Sequence, residues 1–424
     1  MTGNETSEDE TSEDETSEGE TSEGETSEDE TIQTGYPTKL PLLAARLVRI
    51  ETENPPGNEG PCAEYIFDWF DHHGIDATLL DEPIPDRPQV GARVGSGSPT
   101  LVLNGHLDVV PAGDPEDWTY PPYDGVIENG RLYGRGSVDM KTGVAIAMLT
   151  AYNLRGELES GDLDGSIVVH AAIGEETADP GTKTLLEAGF DGDYGIVLEP
   201  TEMRVATSEK GMAWYEISWP GEPAHASRPD QGQNPIEHFE AVISAIKAYD
   251  TRLRQRSDPL CGQAYGTVTQ AVAGPHTNKA VFPERAYVTL DRRILPEETI
   301  DEVDDEVASL VEELDREHGI GATWERHETY ASAEIPEDQR LAEVVREHTS
   351  AVTDVSTEPW GIEASTDVRD FINSADIPAI TWGPGSLSQA HTIDEYIELD
   401  AAETGMTVLE RVTRTLLTKD THTS

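Results

Sequence analysis

Cysteine is nearly absent from the 424-residue chain: Cys62 and Cys261 stand far apart, with none of the close spacings that chelate a metal. A disulfide framework and a thiolate zinc site are both disfavoured, and a reducing cytoplasm is the expected location. Basic residues are scarce as well. Only 29 Lys and Arg face 84 Asp and Glu, giving a formal net charge of −55, and only seven of the 29 are Lys. So negative a surface repels phosphate backbones and anionic headgroups, which argues against nucleic acid and membrane partners. No run approaches the ~18 apolar residues of a spanning helix, and the N-terminus lacks the basic-then-apolar pattern of a secretory signal. Acidity along the whole chain suits a salt-requiring protein, because concentrated ions screen the self-repulsion.

What is present begins with a repeat. Residues 5–29 are five pentads of the form ETSED or ETSEG, with no apolar side chain to bury, so residues 1–31 read as a disordered acidic tail. Subtracting the tail's 14 acids from the total leaves −41 on residues 32–424, so the folded body is acidic too.

A body of this length exceeds what one core organises. Leu40, Leu43, Leu47 and Ile50 recur at helical spacing, and a second apolar-periodic segment ends at Gly74. Strands are expected over 77–80, 89–94, 100–103, 167–172 and 194–198, with a helix over 138–154, which is the alternation of an α/β sheet covered on both faces. From about Gly211 the rhythm becomes strand, helix, strand, strand, helix, strand, ending near residue 329, a βαββαβ ferredoxin-like order. The first pattern resumes after about Ile335. The division expected is therefore 32–207 and 331–424 as one split mixed α/β/α domain, with 208–330 inserted.

Chemistry-bearing residues gather at the ends of the apolar runs. In LVLNGHLDVVP, His106 and Asp108 lie two apart at a strand C-terminus, where their side chains share a face and Asp108 could fix the His106 tautomer. Alone, such a pair is more often structural. In GRGSVDMKTG, Asp139 precedes a helix; an N-cap would explain it, while a phosphate loop would not, since Met140 stands where glycine must precede the lysine. Glu175 and Glu176 follow another apolar strand, Glu199 follows Ile196, Val197 and Leu198, and His391 follows the apolar run 377–382. Two His and three carboxylates at strand ends are the donor set for a pair of divalent cations. Two Zn²⁺ would balance three carboxylates and a hydroxide, avoiding unpaired buried charge.

These five segments, in this order, resemble the acetylornithine deacetylase, succinyl-diaminopimelate desuccinylase, carboxypeptidase G and aminoacylase superfamily of dizinc amidohydrolases, over nearly all of residues 36–420. The resemblance implies that His106 and Glu199 hold one zinc, Glu176 and His391 the other, and that Asp139 bridges. It implies Glu175 as general base, Asp108 as the carboxylate behind His106, and His225 of PAHASRP as an oxyanion donor that in family members comes from the partner subunit. Lys210, Asn278, Arg293 and Gly385 occupy the family's substrate-side positions, although four residues separate Asn278 from Pro283, a longer spacing than the family's. The remaining nine histidines match no such motif.

The implied protein is a cytoplasmic zinc-dependent amidohydrolase, with Co²⁺ or Mn²⁺ as substitute metals, whose inserted ferredoxin-like domain serves as lid and homodimer contact. Its implied reaction is hydrolysis of an N-acyl amino acid. A dipeptidase or carboxypeptidase G-like peptidase is the enzymatic alternative, and a metal-retaining binder without turnover is the non-enzymatic one.

Overall fold

The computed structural model describes residues 35–274 and 278–418; the acidic repeat, His276 and His422 lie outside them. Helices α1 (Leu40–Val48) and α2 (Gly60–His72) come first, α1 burying Leu40, Leu43 and Leu47 along the stripe their spacing creates. Strands β1 (Asp76–Leu80), β2 (Gln89–Gly95) and β3 (Thr100–His106) follow, then the short β4 (Val126–Glu128) and β5 (Arg131–Tyr133). Helix α3 (Lys141–Ser160), β6 (Ser166–Ala172), α4 (Gly181–Glu187), β7 (Tyr194–Val197) and β8 (Ala206–Glu209) complete the first stretch.

A separate unit then intervenes: β9 (Gly211–Pro220), α5 (Phe239–Leu253), the small hairpin β10 (Ser257–Asp258) and β11 (Gly262–Gln263), β12 (Tyr265–Ala273), β13 (Arg285–Ile294), α6 (Ile300–His318) and β14 (Thr323–Tyr330). Its four long strands form an antiparallel sheet in the order β12-β13-β9-β14, the ferredoxin-like arrangement that the βαββαβ order suggests. This unit has its own apolar core, in which Tyr215 and Trp219 of the sheet meet Val242 of α5 and Val307 of α6. Thr299 and Glu302 close a capping box at the start of α6, and Gly319 ends the helix at φ +61°, a left-handed conformation that glycine adopts without strain.

The chain then returns through β15 (Ala333–Glu334), α7 (Arg340–Ser350), β16 (Trp360–Ile362), α8 (Val368–Ala375), β17 (Ala379–Thr381), β18 (Tyr396–Glu398) and α9 (Leu399–Leu417). Nine strands make the main sheet, in the order β1-β2-β6-β3-β7-β17-β8-β15 with β16 beside β8. Alternation along β3 shows how both faces are covered. Leu101 and Leu103 join a core built with α1, α2, α3, α7 and α9, whereas Val102 joins a smaller one containing Leu186, Val368 and Phe371. The unit from β9 to β14 leaves next to β8 and returns next to β15, two strands that pair through Ala333 and Glu209.

Two differences from the sequence expectation have local causes. Helix α3 begins at Lys141 and not at residue 138, because the Val138 and Asp139 amides donate to Glu395 Oε1 at 2.9 and 3.2 Å and are held in a loop. The three-residue strands β4, β5 and β18, which form a sheet of their own, are too short for a two-residue period to be legible.

Candidate metal centre and active site

Strand β3 is parallel to β6 and β7, and β7 to β17, so four C-terminal strand ends share one edge of the sheet. His106 is the last residue of β3, Glu175 and Glu176 follow β6, Glu199 follows β7, and His391 follows β17. Asp139 arrives from the loop before α3. Gly143, one turn into that helix, lets it press against the Glu199 segment: a Cβ there would stand 2.6 Å from the Leu198 carbonyl oxygen.

The five side chains converge. Asp139 sits between the two imidazoles, its Oδ1 3.2 Å from His106 Nε2 and its Oδ2 3.2 Å from His391 Nε2. Each imidazole meets a second carboxylate, His106 with Glu199 Oε1 at 3.4 Å and His391 with Glu176 Oε1 at 3.0 Å. Ligand atoms of His106, Asp139 and Glu176 lie within 4.8 Å of one another, as do those of His106, Glu175 and Glu199. Bonds of about 2.0–2.1 Å to one tetrahedral ion place donor atoms about 3.3 Å apart, so contacts of 3.0–3.4 Å are of the size that ligands of a common metal ion show.

Electrostatics point the same way. Burial works to discharge His106, yet the Asp139 and Glu199 carboxylates outweigh it and hold its pKa well above the usual value. His391, held by Asp139 and Glu176, is raised to about 10. Burial pushes Glu199 up to about 7, aided by Asp139, and raises Glu176 and Glu175, the latter well above the carboxylate range. Asp139 is itself buried, but its contacts with His106 and His391 hold its pKa low. A carboxylate group that keeps protons on its histidines is one whose charge bound divalent metal would satisfy.

Asp108 corrects an expectation. His106 Nδ1 faces the Asp108 backbone carbonyl at 2.9 Å, while the Asp108 carboxylate stands 3.6 Å from that nitrogen, beyond hydrogen-bond reach. The carboxylate is engaged elsewhere. Its Oδ1 accepts from the Gly174 and Glu175 amides at 2.9 and 3.3 Å, and its Oδ2 from the Glu176 amide at 3.1 Å and Asn54 Nδ2 at 3.0 Å. Three successive amides at the start of a 3₁₀ turn have no partners within the turn, and this buried anion satisfies them.

Asp139, Glu175, Glu176, Glu199 and His391 line a cleft of about 420 Å³ that is also lined by Met212, Trp214, Arg293 and Tyr330 of the inserted unit. Of the expected substrate-side residues, Arg293 lines this cleft and the others do not. The Lys210 ammonium is buried, 3.3 Å from Glu363 Oε2 and 4.5 Å from the Tyr265 ring centre, so local partners hold it away from the cleft. Asn278 caps its own turn by accepting from the Ala280 amide at 3.0 Å. Gly385, at φ +93°, accepts from the Glu202 amide at 2.6 Å. His225 is exposed, bonded to Ser227 Oγ at 2.8 Å, and does not line the cleft. A hollow of about 530 Å³ between residues 256–259 and α6 contains none of the predicted residues.

Matching with known proteins fits this geometry. Residues 102–415 match the model of peptidase family M20/M25/M40. The chain belongs to that family. It is a hydrolase of amide bonds, in a family of metallopeptidases and amidohydrolases. Among curated proteins, the "Probable succinyl-diaminopimelate desuccinylase" of Staphylococcus aureus (strain N315) is 29% identical over 386 residues, covering 84% of this chain and 92% of that protein. Among solved structures, the M20 family metallo-carboxypeptidase Sso-CP2 from Sulfolobus solfataricus superposes with a TM-score of 0.71 at 18% identity, covering 88% of this chain and 97% of its own. The di-peptidase Dug1p from Saccharomyces cerevisiae gives 0.71 at 14% identity, covering 88% and 94%. The mixed α/β fold is that of these enzymes.

Several residues at the site carry no sequence signal. The buried Arg369 places Nη1 3.7 Å from Glu175 Oε1, and its guanidinium stacks 4.3 Å from the Tyr330 ring centre. Tyr330 donates its hydroxyl to the Glu175 carbonyl at 3.2 Å. Glu395 accepts from Arg135 Nη1 at 2.6 Å as well as from the Val138 and Asp139 amides. A single Arg two residues after an Asp, or one Glu among 84 acids, is indistinguishable from surface charge until the fold buries it.

Proposed function

We propose that this chain is a two-metal amide hydrolase acting on N-acyl amino acids, with zinc as the preferred ion. The observation that carries the reading is Asp139, whose two oxygens each approach a different imidazole at 3.2 Å, giving two half-sites with one shared ligand. His106 and Glu199 would complete one, His391 and Glu176 the other. Nitrogen and carboxylate donors without thiolate suit Zn²⁺, with Co²⁺ or Mn²⁺ as substitutes. When bound, such a pair supplies Lewis acidity to the scissile carbonyl and lowers the pKa of a water.

The chain's own groups do the rest. Glu175, not needed in either half-site, takes the proton of the attacking water on its carboxylate and delivers it to the departing amine. Arg369 and Tyr330 fix the Glu175 carboxylate and backbone, and Asp108 fixes the turn that carries it. Arg293, on the cleft wall, suits a substrate carboxylate through its planar fork of donors. The inserted unit, residues 208–330, would serve as lid and homodimer contact. Since His225 of the same chain does not line the cleft, an oxyanion role for it requires a second copy.

Metal analysis together with amine release from a panel of N-acyl amino acids and dipeptides, in concentrated salt, tests this. About two metals per chain and turnover of acyl amino acids are expected. Turnover confined to dipeptides would move the assignment to a dipeptidase. Metal retention without hydrolysis of any amide would leave only a binding role.

A further inference from the structure

Most large apolar side chains of the described residues are buried, yet two of the eight left exposed, Trp214 and Leu387, line the same cleft as the carboxylate cluster. Trp214 lies in β9 directly across from Asp291 in β13. Its indole Nε1 donates to Asp291 Oδ2 at 3.0 Å, while Arg293 donates Nε to Oδ1 at 2.9 Å and Nη2 to Oδ2 at 3.2 Å. One carboxylate thus holds an indole and a guanidinium side by side on the cleft wall. With the ring's only polar group engaged, its apolar surface is what remains for a ligand.

The charges in the cleft narrow the choice further. Asp291 is engaged by its two donors, and the carboxylates lining the cleft, Asp139, Glu175, Glu176 and Glu199, all belong to the metal cluster. No other carboxylate lines it among the described residues, so a side-chain ammonium would meet no free anion. We propose that Trp214 and Leu387 select amides whose amine-side residue carries an apolar or aromatic side chain, next to an α-carboxylate held by Arg293. The selection deepens the amide-hydrolase reading above and rests on it. Ornithine and diaminopimelate derivatives, with a second amine, would be poor substrates.

The test is kcat/KM of the metal-loaded chain, in concentrated salt, for N-acetyl-phenylalanine, N-acetyl-leucine, N-acetyl-glycine, N-acetyl-ornithine and N-succinyl-diaminopimelate, in the native protein and in W214A and W214F. An apolar pocket of this kind discriminates by about 10- to 100-fold, so phenylalanine and leucine derivatives should exceed glycine by that factor. W214A should collapse the ratio to below about 3-fold, and W214F, which restores an aromatic face without the N–H, should recover most of it. Preference for a cationic or small side chain overturns the proposal. So does an equal loss on every substrate in W214A, which would mean that Trp214 acts only through Asp291 and Arg293. If no amide is hydrolysed, the functional reading fails separately, and calorimetric binding of free phenylalanine against glycine decides: a preference lost in W214A sustains the proposal, and no preference ends it.

Discussion

Replacing Asp108 by asparagine tests how the base and one metal ligand are held. The carboxylate accepts four hydrogen bonds, two on each oxygen, from Gly174, Glu175, Glu176 and Asn54. A side-chain amide has one acceptor atom, so whichever way the new side chain turned, its NH₂ would face two donors. Two buried charge-assisted bonds at about 1.5–3 kcal/mol each give a destabilisation of about 3–6 kcal/mol. That is a large part of the roughly 5–15 kcal/mol typical of a whole protein. The turn bearing Glu175 and Glu176 should shift, and a displacement of about 1 Å costs on the order of 10²-fold in kcat. His106 should be spared, because its Nδ1 partner is the backbone carbonyl, which the substitution leaves in place. Denaturant unfolding, kcat and stepwise metal titration read these separately. Native stability and turnover in D108N, or selective loss of the ion at His106 and Glu199, would refute the reasoning.

Glu175→Gln should keep both metals by elemental analysis yet lose at least about 10²-fold in kcat, since a general base contributes that much or more; an active, metal-replete variant removes Glu175 from that role. Gly143→Ala places a methyl 2.6 Å from the Leu198 carbonyl oxygen; it should cost about 1–3 kcal/mol by overpacking and weaken the His106 half-site in a metal titration. In chelator-treated protein, His391 has a folded pKa of about 10 against an ordinary 6.5. Its contribution to stability is therefore complete below about pH 6.5 and lost as pH rises through 10. Thermal unfolding scans should show that decline, and H391N should flatten it; parallel curves for the two proteins would contradict the assignment.

Much of the site was legible because it lies where strands end. Apolar runs followed by His106, Glu175, Glu199 and His391 mark the C-terminal ends of the four parallel strands β6, β3, β7 and β17 in a mixed sheet, and the βαββαβ rhythm is long enough for its periods to show. Asp108 was located but its bonding was misread, because sequence spacing places a side chain on a face without telling whether its carboxylate or its carbonyl meets the neighbour. Lys210 and Asn278 were expected on the substrate side from the resemblance, yet Glu363 holds the Lys210 ammonium and the Ala280 amide holds Asn278 Oδ1. Arg369, Tyr330 and Glu395 gain meaning only from burial and from partners roughly 40–260 residues away, which no local pattern encodes.

A shared Asp139, as proposed above, would have a consequence for how ions load. If one carboxylate serves both half-sites, neither would be a separate equilibrium: an ion on one side would draw electron density from the group and fix its rotation for the other. The two affinities are then linked, and linkage is reciprocal, so whatever the first occupant does to the second, the second does equally to the first. A substitution that weakens one half-site would then shift the second step of a metal titration as well as the first, by an amount that reports the shared carboxylate.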